Sequence, residues 1–451
     1  MIDVFGKSIM KAHTGGSQVR EIYNNGVKVW PDYYIEWTPS SLNDTFRMNG
    51  STYNMLDFNG YFTYFDGTIT TYAFANGQGV QNGKPITTID TNAKSIMTGA
   101  FENCSVLSSV NMSQCISIGS YVFSSCDILN SVSLPLCEYI GNGAFGHCGN
   151  LKNIDLSECS YIGYQAFISC SKLKTISLQK CEIVGKEAFL DCTSLNSISL
   201  PLCTRLSIGA FFGCSSLSSV YVPICTNMAE EVFRGCKSLS YIDLPMISML
   251  YSYVFEMCEQ LQNVSIPNCE RIGRGVFSHC ESLQSISFPL CEYVGPGAFY
   301  YCYSLSTAYL PICSSVRTAA FRKCSSLESV NLPLCTIIES DAFRECINIS
   351  TVNLPKCQVI HSFAFQSCSL LQSISLPKCS TIEGLVFGGC TSLSKIYLNS
   401  TSVCQLGLLV FSGTLIESGT GSIYVPSSLV SAYKVADNWS AYSSQIFPIP
   451  N

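Results

Sequence analysis

The chain has 451 residues, which is too long for one ordinary hydrophobic core and fits either several domains or one elongated repeat array. Only 12% of the residues are charged, about half the usual share, and the net charge is −6. This composition excludes a disordered chain and gives no basis for binding nucleic acid. No stretch of about 18 apolar residues occurs, so we expect no membrane insertion.

Residues 1–31 carry a ten-residue repeat whose two copies each contain a glycine turn, Gly15-Gly16 and Asn25-Gly26. Such pairs between alternating apolar residues favour two-residue hairpins, so the segment predicts a β-hairpin module. The first residues lack the apolar segment of a signal peptide. We therefore expect folding in a reducing cytoplasm.

Residues 32–85 are rich in aromatic side chains, which make up twelve of the 54 positions. With Asn-Gly and Asp-Gly turns between them, they predict a small aromatic-rich β domain that also caps the first coil of the following array. One interpretation is a platform for sugar, with Asp57 or Asp66 as polar partners. The other, which small domain size favours, is that the rings form the domain core.

From residue 86 to 415 the sequence repeats with a constant period, the one that separates Phe101 from Phe123. A phenylalanine marks each repeat over thirteen intervals without insertion or deletion. A fixed period of this length predicts a solenoid. The phenylalanines are Phe101, Phe123, Phe145, Phe167, Phe189, Phe211, Phe233, Phe255, Phe277, Phe299, Phe321, Phe343, Phe365 and Phe387.

The repeat also contains every one of the 27 cysteines. Fourteen of them, from Cys104 to Cys390, follow the phenylalanines by three residues, and twelve more, from Cys115 to Cys379, lie midway between them. Ile247 fills the one missing midway position, and Cys404 lies in a longer final coil.

Over one period the pattern is L-x-x-V-x-L-P-x-C-x-x-I-G-x-x-A-F-x-x-C, as in residues 195–214. Its alternating apolar and polar positions predict a short strand that proline ends. A further apolar position, from Ile118 to Ile382, turns the chain inward, and we expect a short helical or 3-10 turn around each phenylalanine. The predicted fold is an α/β solenoid of stacked parallel strands forming a curved rod.

The cysteines allow three interpretations. A disulfide framework is disfavoured because stacked strands hold equivalent Cβ atoms about 4.8 Å apart, outside the roughly 3.5–4.5 Å of a bridge. A metal site is disfavoured because there is no C-x-x-C pair and the four histidines, His13, His147, His279 and His361, are scattered. We expect no metal and no cofactor, and interpret each thiol as a small buried hydrophobe and weak donor.

The consensus L-P-x-C-x-x-I-G-x-x-A-F-x-x-C, seen at residues 134–148, resembles the BspA-like, or Treponema pallidum type, class of leucine-rich repeats. The resemblance covers residues from about 86 to 415. It implies a binding or adhesion protein of bacterial, phage or protist surfaces without catalytic residues. The hairpins of residues 1–31 are similar to modules that begin gut phage and prophage structural proteins.

The C-terminal segment, residues 416–451, resembles the closing segment of such arrays in gut bacteria. We predict a cap with one strand at Ile423–Val425 and a helix from about Ser427 to Ala436. The side chains expected to cover the last exposed coil are Trp439, Tyr442, Ile446 and Phe447.

The outward positions of the strands are mostly Ser, Thr, Asn and Pro, so the larger residues there are candidate ligand contacts on the concave face. The candidates are Tyr221, Tyr241, Tyr309, Tyr397, Asp155 and Asp243. Tyr221, Tyr309 and Tyr397 recur at a constant interval of four repeats, as do the two aspartates. An equally valid interpretation is that they are solvated positions left by duplication of four repeats.

No nucleotide-binding, zinc-protease or serine-hydrolase motif occurs in a suitable context, so we expect no enzyme. The first functional hypothesis is a non-catalytic protein that recognises a protein or glycan at a cell surface. The second is a phage or prophage tail-associated adhesin, located in the virion, whose N-terminal hairpins attach to other virion proteins. A third is a glycan-binding or glycan-active N-terminal domain displayed on a repeat scaffold.

Overall fold

The computed structural model describes residues 93–96 and 98–450, and before them the strands alone. The chain divides into two compact units, residues 1–178 and 179–451. Asp57, Asp66 and the Gly15-Gly16 turn lie outside the described residues.

The described strands before residue 86 pair in antiparallel fashion. Two of them extend the array: Thr45–Met48 pairs with Thr88–Asp90, and Thr68–Thr71 pairs with Ser95–Ile96. The antiparallel pairs are Asp3–Val4 with Lys7–Ser8, Ile22–Asn24 with Val27–Val29, Thr45–Met48 with Ser51–Asn54, Phe62–Phe65 with Thr68–Thr71, and Val80–Gln81 with Lys84–Pro85.

Each coil of the array contributes one three-residue strand, which we call the front strand. Where neighbouring front strands pair, they do so in parallel with partners one repeat apart, as in Ser109 with Ser131, which confirms the predicted solenoid. In the second unit the pairing is interrupted, since the strand of Tyr221 pairs with that of Ser199 and the strand of Tyr241 pairs with that of Asn263. In the first unit they are Thr88–Asp90, Ser109–Asn111, Ser131–Ser133, Asn153–Asp155 and Thr175–Ser177. In the second they are Ser197–Ser199, Ser219–Tyr221, Tyr241–Asp243, Asn263–Ser265, Ser285–Ser287, Thr307–Tyr309, Ser329–Asn331, Thr351–Asn353, Ser373–Ser375 and Lys395–Tyr397.

A second, two-residue strand in each coil, the side strand, was not predicted. It contains the apolar position that runs from Ile118 to Ile382, and it pairs in parallel with the side strands of neighbouring coils, as Ser117 with Tyr139 and Val359 with Thr381. In the first unit the side strands are Ser95–Ile96, Ser117–Ile118, Tyr139–Ile140 and Tyr161–Ile162. In the second they are Ile183–Val184, Arg205–Leu206, Asn227–Met228, Met249–Leu250, Arg271–Ile272, Tyr293–Val294, Ser315–Val316, Ile337–Ile338, Val359–Ile360, Thr381–Ile382 and Gln405–Leu406.

The turn predicted around each phenylalanine is present and has three-residue bonds of the 3-10 type, but in the described coils it is a series of successive turns and not a continuous helix. Local bonds, such as the Gly146 N–H to the Gly143 carbonyl at 2.9 Å, alternate with bonds to the next coil, such as the Phe145 N–H to the Ala166 carbonyl at 2.7 Å. His147 has a positive φ of 61°, which no right-handed helix allows. Every second backbone N–H of the turn therefore donates to a carbonyl oxygen of the neighbouring coil.

The phenylalanines form a buried column of stacked rings within each unit. In the first unit the centroids of Phe123 and Phe145 lie 5.2 Å apart, and in the second those of Phe299 and Phe321 lie 4.9 Å apart. All of these side chains are almost fully buried. Burial of one such ring in each coil adds to the hydrophobic stabilisation from the buried Leu, Ile and Val side chains of the same coil.

Glycine follows the side strand in several coils because adjacent coils approach closely there. A Cβ built at Gly141 would lie 2.5 Å from the carbonyl carbon of Gly119, and one at Gly295 would lie 2.7 Å from that of Gly273. Such contacts are shorter than any real Cβ makes, so a larger residue would push the coils apart. The glycine of the I-G pair thus allows this close approach in the coils that have it, whereas other coils accommodate a larger residue there, such as Arg317 or Glu383.

Both cysteine ladders are buried, and each has its own hydrogen-bond pattern. The cysteines that follow the phenylalanines, which we call Phe-side cysteines, donate to the preceding coil: Cys148 Sγ lies 3.0 Å from the Phe123 carbonyl oxygen. The midway cysteines, which we call proline-side cysteines, donate within their own coil: Cys137 Sγ lies 3.3 Å from the Tyr139 carbonyl oxygen. The thiols therefore act as buried donors, and all 27 are unbridged.

After the array the chain forms a strand, a short helix and a final strand that pack over its last coil. The Trp439 indole N–H donates to the Cys404 carbonyl at 2.7 Å, and the Cys404 N–H donates to the Tyr433 hydroxyl at 3.0 Å. Ile446 is buried, whereas Phe447 is 43% exposed and so does not cover that coil. The elements are Ser422–Val425, 3-10 helix Ser427–Leu429, helix Val430–Val435, 3-10 helix Ser440–Gln445 and Ile446–Pro448.

Within the described part of the chain, no helix is both long and apolar enough to cross a membrane.

Candidate functional site

The outward side of the front strands, which we call the front face, carries three isolated and exposed tyrosines in the second unit. Tyr221, Tyr241 and Tyr309 are 56%, 52% and 55% exposed. The central residue of each strand points inward, so the first and third point outward, as the pleat requires. The alternation in the sequence was sufficient to place these three side chains.

Small polar residues lie beside these tyrosines. Tyr221 is directly opposite Ser199, Tyr309 is opposite Ser287, and Tyr241 is opposite Asn263. Among the described residues no other ring packs on any of the three. Each ring can therefore offer a face to a ligand at little cost in conformational entropy.

Tyr397 has a different environment, although it belongs to the same four-repeat series. Its ring stacks on Tyr424 with centroids 4.8 Å apart, and Tyr424 contacts Phe447 at 6.4 Å. Tyr397 is only half-buried, yet one face of its ring is covered. The structure thus places it in a short aromatic row at the C-terminal end of the front face.

The two candidate aspartates also differ from each other. The Asp155 carboxylate, in the first unit, accepts the Ser157 N–H at 3.1 Å and so fixes its own turn. Asp243 is exposed in the same strand as Tyr241, and it occupies in its coil the position that Tyr221 occupies in the preceding one. The structure therefore gathers Tyr221, Tyr241 and Asp243 on two adjacent strands and leaves Asp155 in a local role.

A second cluster lies on the turns that follow the phenylalanines, and we did not predict it. The His279 and Tyr301 rings stack at 4.5 Å, and Tyr300 meets Tyr301 edge-on at 4.1 Å. Lys323 Nζ lies 4.6 Å from the centre of the Tyr301 ring and 3.2 Å from its hydroxyl. Hydrogen bonds from Tyr300 and Lys323 lower the pKa of Tyr301.

Ion pairs continue this cluster along the next coils. Arg322 lies 3.4 Å from Glu345 and 3.8 Å from Asp341, and Arg344 lies 2.9 Å from Asp341. The charges alternate and largely neutralise one another, so the cluster stabilises neighbouring coils more than it offers a free charge. The sequence signal was the pair of residues after each phenylalanine, Tyr-Tyr followed one repeat later by Arg-Lys.

Two carboxylates beside the side strands hold the backbone of the preceding coil. Glu383 accepts the Ser362 N–H at 3.0 Å and contacts His361 Nδ1 at 2.8 Å, and Glu339 accepts from Arg317 and Thr318 in the same way. Burial opposes ionisation of Glu339 and Glu383, but these hydrogen bonds lower the pKa of both carboxyls. The pairs are structural links between coils.

Most of the buried thiols have a raised pKa and are not set up for nucleophilic chemistry, whereas a hydrogen bond with Cys404 lowers the pKa of Cys379. Burial raises the pKa of Cys115, Cys159 and Cys203 to about 12 and that of Cys225 and Cys313 to about 11. A thiol with such a pKa stays protonated near neutral pH and reacts slowly. In the described part of the chain no group of three or more His, Cys, Asp or Glu side chains could hold a metal ion.

The family model for the BspA type leucine-rich repeat region, with six copies, matches residues 67–196, 117–240, 182–306 and 292–417. A comparison with curated proteins gives no significant match.

Among solved structures, the chain is similar to a leucine-rich repeat protein from Bacteroides ovatus, with 24% identity, 87% of this chain and 98% of that chain covered, and a TM-score of 0.60. A leucine rich cell surface protein from Faecalibacterium prausnitzii shares 15% identity over 81% of this chain and 97% of its own, with a TM-score of 0.34. The T. pallidum leucine-rich repeat protein has 22% sequence identity, with 51% of this chain and 89% of that chain covered and a TM-score of 0.27. The Bacteroides likeness shows the fold, and the family model spans most of the sequence. The chain belongs to the BspA-type leucine-rich repeat family.

Proposed function

We propose that the protein is a non-catalytic recognition protein that binds a protein or glycan at a cell surface through the front face of its repeat array. The observation that carries the proposal is the set of three tyrosines, Tyr221, Tyr241 and Tyr309, each more than half exposed on a face of small uncharged residues. Tyrosine combines contact area with a hydroxyl, and it is enriched where proteins bind ligands.

The electrostatics of the front face agree with this proposal. Asp243 and Lys395 are the charged outward residues on the front strands of the second unit, from Ser197 to Tyr397. A face with so little charge has no long-range attraction for nucleic acid or an anionic surface. Recognition there depends on shape, ring contacts and hydrogen bonds.

The test is binding of the full chain to glycan and protein arrays, repeated with Tyr221, Tyr241 and Tyr309 all changed to Ser. We expect the triple variant to lose at least tenfold in affinity for each ligand found, since each tyrosine at a binding surface contributes roughly 1–2 kcal/mol. Tyr251→Ser is the matched control, because Tyr251 is 47% exposed but lies after a side strand. Equal binding by wild type and triple variant would contradict the proposal.

A second candidate function is a phage or prophage tail-associated adhesin. The unbridged, buried thiols favour it, because such an array needs no oxidising compartment to fold. Thiol titration in denaturant without reductant, on protein purified under air, should find most of the 27 cysteines free. Tail genes beside the native gene would support this location, and an upstream signal sequence would refute it.

A further inference from the structure

The turn that follows each front strand presents one side chain at its tip. In the coil of Leu202, the Cys203 N–H donates to the Leu200 carbonyl at 3.2 Å, which closes a four-residue β-turn. Pro201 occupies the second position, where its fixed φ suits the turn, and Leu202 occupies the third. The third position of such a turn ordinarily carries Asp, Asn, Ser or Gly.

In the second unit this position is apolar in six of seven consecutive coils, and we call the set the apolar turn stripe. Five of its members are 38–54% exposed, and the sixth, Ile312, is half-buried. Asn268 interrupts the set and donates to the Pro245 carbonyl at 2.7 Å. The apolar turn stripe consists of Leu202, Ile224, Met246, Leu290, Ile312 and Leu334.

The apolar turn stripe is continuous with the front face. Tyr221 lies three residues before Ile224, and Tyr309 lies three residues before Ile312. From Leu202 to Leu334 there are six coil spacings of about 4.8 Å, and the width from the tyrosine position to the turn tip is about 10 Å. The resulting patch is roughly 29 Å by 10 Å, comparable to the largest apolar patch on an ordinary monomer, which is often functional.

One end of the stripe is charged. Beyond Leu334, the same turn position carries Lys356 and then Lys378, both exposed. From Leu202 to Leu334 the turn tips carry no charge. A complementary partner is therefore apolar along the stripe and acidic beyond its Leu334 end.

Each turn is held rigid before any partner arrives. Proline fixes one φ, the backbone bond closes the turn, and a proline-side cysteine such as Cys203 donates to the Arg205 carbonyl at 3.3 Å. A surface with so little freedom loses little entropy on binding. The stripe thus combines exposed apolar area with pre-organisation.

We propose that the apolar turn stripe docks a protein partner that presents an uncharged apolar ridge about 29 Å long with acidic side chains beyond the end that lies next to Lys356 and Lys378. This rests on the proposed function and deepens it by naming the partner class. Leu, Ile and Met side chains offer a sugar neither ring stacking nor hydrogen bonds, whereas Met and Tyr are enriched at the centres of protein interfaces. The composition of the stripe therefore favours a protein over a glycan.

The test uses a displayed library of random twenty-residue peptides, selected on the full chain. We expect selected peptides to have an apolar segment with Asp or Glu at one end, and their synthetic forms to lose at least tenfold in affinity for the variant carrying Leu202→Ser, Met246→Ser and Leu290→Ser. Changing Lys356 and Lys378 to Glu should weaken binding several-fold at low salt. Leu370→Ser is the matched control, since Leu370 is 49% exposed and lies off the stripe.

Three results would overturn the proposal: no selected peptide binds, the peptides bind the triple Ser variant as tightly as the wild type, or the triple Ser variant loses glycan binding. Sedimentation could give a fourth such result. If the wild type dimerises and the triple Ser variant does not, the partner that covers the apolar turn stripe is a second copy of this chain. The proposed function fails separately, when the three front-face tyrosines prove dispensable on the arrays.

Discussion

The two cysteine ladders are equally buried, yet they have different hydrogen-bonding roles. A Phe-side thiol bonds across coils to a fully buried carbonyl, as Cys280 does to Phe255 at 3.2 Å. A proline-side thiol bonds two residues along its own chain at a part-buried turn, as Cys291 does to Tyr293 at 3.2 Å. The first kind links coils, and the second mainly shapes a turn of its own coil, although Cys225 and Cys379 also lie 3.8 and 3.5 Å from carbonyl oxygens of the preceding coil.

The sequence itself contains one test of this difference. On the proline side Ile247 replaces a cysteine, remains 1% exposed and keeps its backbone bond to Leu244. On the Phe side all fourteen positions hold cysteine. A local turn tolerates loss of its thiol, because the nearby carbonyl at the edge of the coil can reach water, whereas a carbonyl between coils has no such alternative.

The largest expected effect is unfolding at alkaline pH. It tests the property that the two cysteine ladders share, which is burial of their thiols. Burial raises the folded pKa of thiols such as Cys203 and Cys313 above the value of about 8.5 in an unfolded chain. Their contribution is complete below that pH and is lost as the pH rises toward the folded values, by up to about 1.4 kcal/mol per thiol per pH unit.

We expect the array to unfold between about pH 9 and 11, with reductant present to prevent oxidation. Circular dichroism and thiolate absorbance should change together. Thiolate appearing while the dichroism stays constant would show that the thiols are not buried in the folded protein.

The next largest effect is expected from Phe255→Ala, which removes a ring from the middle of the Phe-side column. The ring stacks on Phe233 at 5.8 Å and on Phe277 at 5.4 Å, so its loss leaves a cavity shared by three coils. The free energy of unfolding should fall by roughly 3–5 kcal/mol, measured by urea denaturation. A loss below about 1 kcal/mol would mean that the column is not a core.

A matched pair of substitutions separates the two ladders directly. Cys280→Ala should cost about 2 kcal/mol, because it removes a bond between coils and leaves a small cavity, and Cys291→Ala should cost about 1 kcal/mol. Urea denaturation of both variants gives the comparison. Equal losses would remove the distinction between linking and turn-shaping thiols.

The smallest effect is expected at a small core residue that belongs to neither cysteine ladder. Ala308 fills the central position of a front strand where neighbouring coils have Ile286 and Val330, and beside it lies a cavity of about 10 Å³. Ala308→Val should raise the free energy of unfolding by about 0.5–1 kcal/mol. A destabilised variant would show that the small residue relieves a clash between coils.

The front strands, the buried phenylalanines and the buried thiols could be predicted, because each recurs at a fixed position and alternation places one side chain in and the next out. The side strand could not, since two residues with one apolar side chain carry no periodicity. The turn around phenylalanine was predicted as helical or 3-10, and its local three-residue bonds are of that kind. The alternate bonds to the next coil could not be predicted. The positive φ of non-glycine residues such as His147 and Tyr301 leaves no mark in the sequence.

The candidate site was predicted to a smaller extent. Outward tyrosines follow from alternation, but the covered ring of Tyr397 depends on Tyr424, which lies in the segment after the array. The cluster around Tyr301 joins side chains from successive coils, a full repeat apart in the sequence, so local inspection does not reveal it. Partners of this kind become visible only when residues are compared column by column.

The backbone bonds that cross from one coil to the next join residues a constant distance apart, as Phe211 with Val232 and Phe343 with Ala364. A whole coil can be added or removed without changing these pairings, whereas extra residues within a coil must be absorbed in that coil's own turns, as in the longer final coil, where Phe387 still bonds to Val410. Contact residues then travel with their coils during gene duplication. A copied block of four coils carries its tyrosine along, and the spacing from Tyr221 to Tyr309 equals that block. Duplication of coils therefore changes the length of the array and the number of contact residues on its surface at the same time.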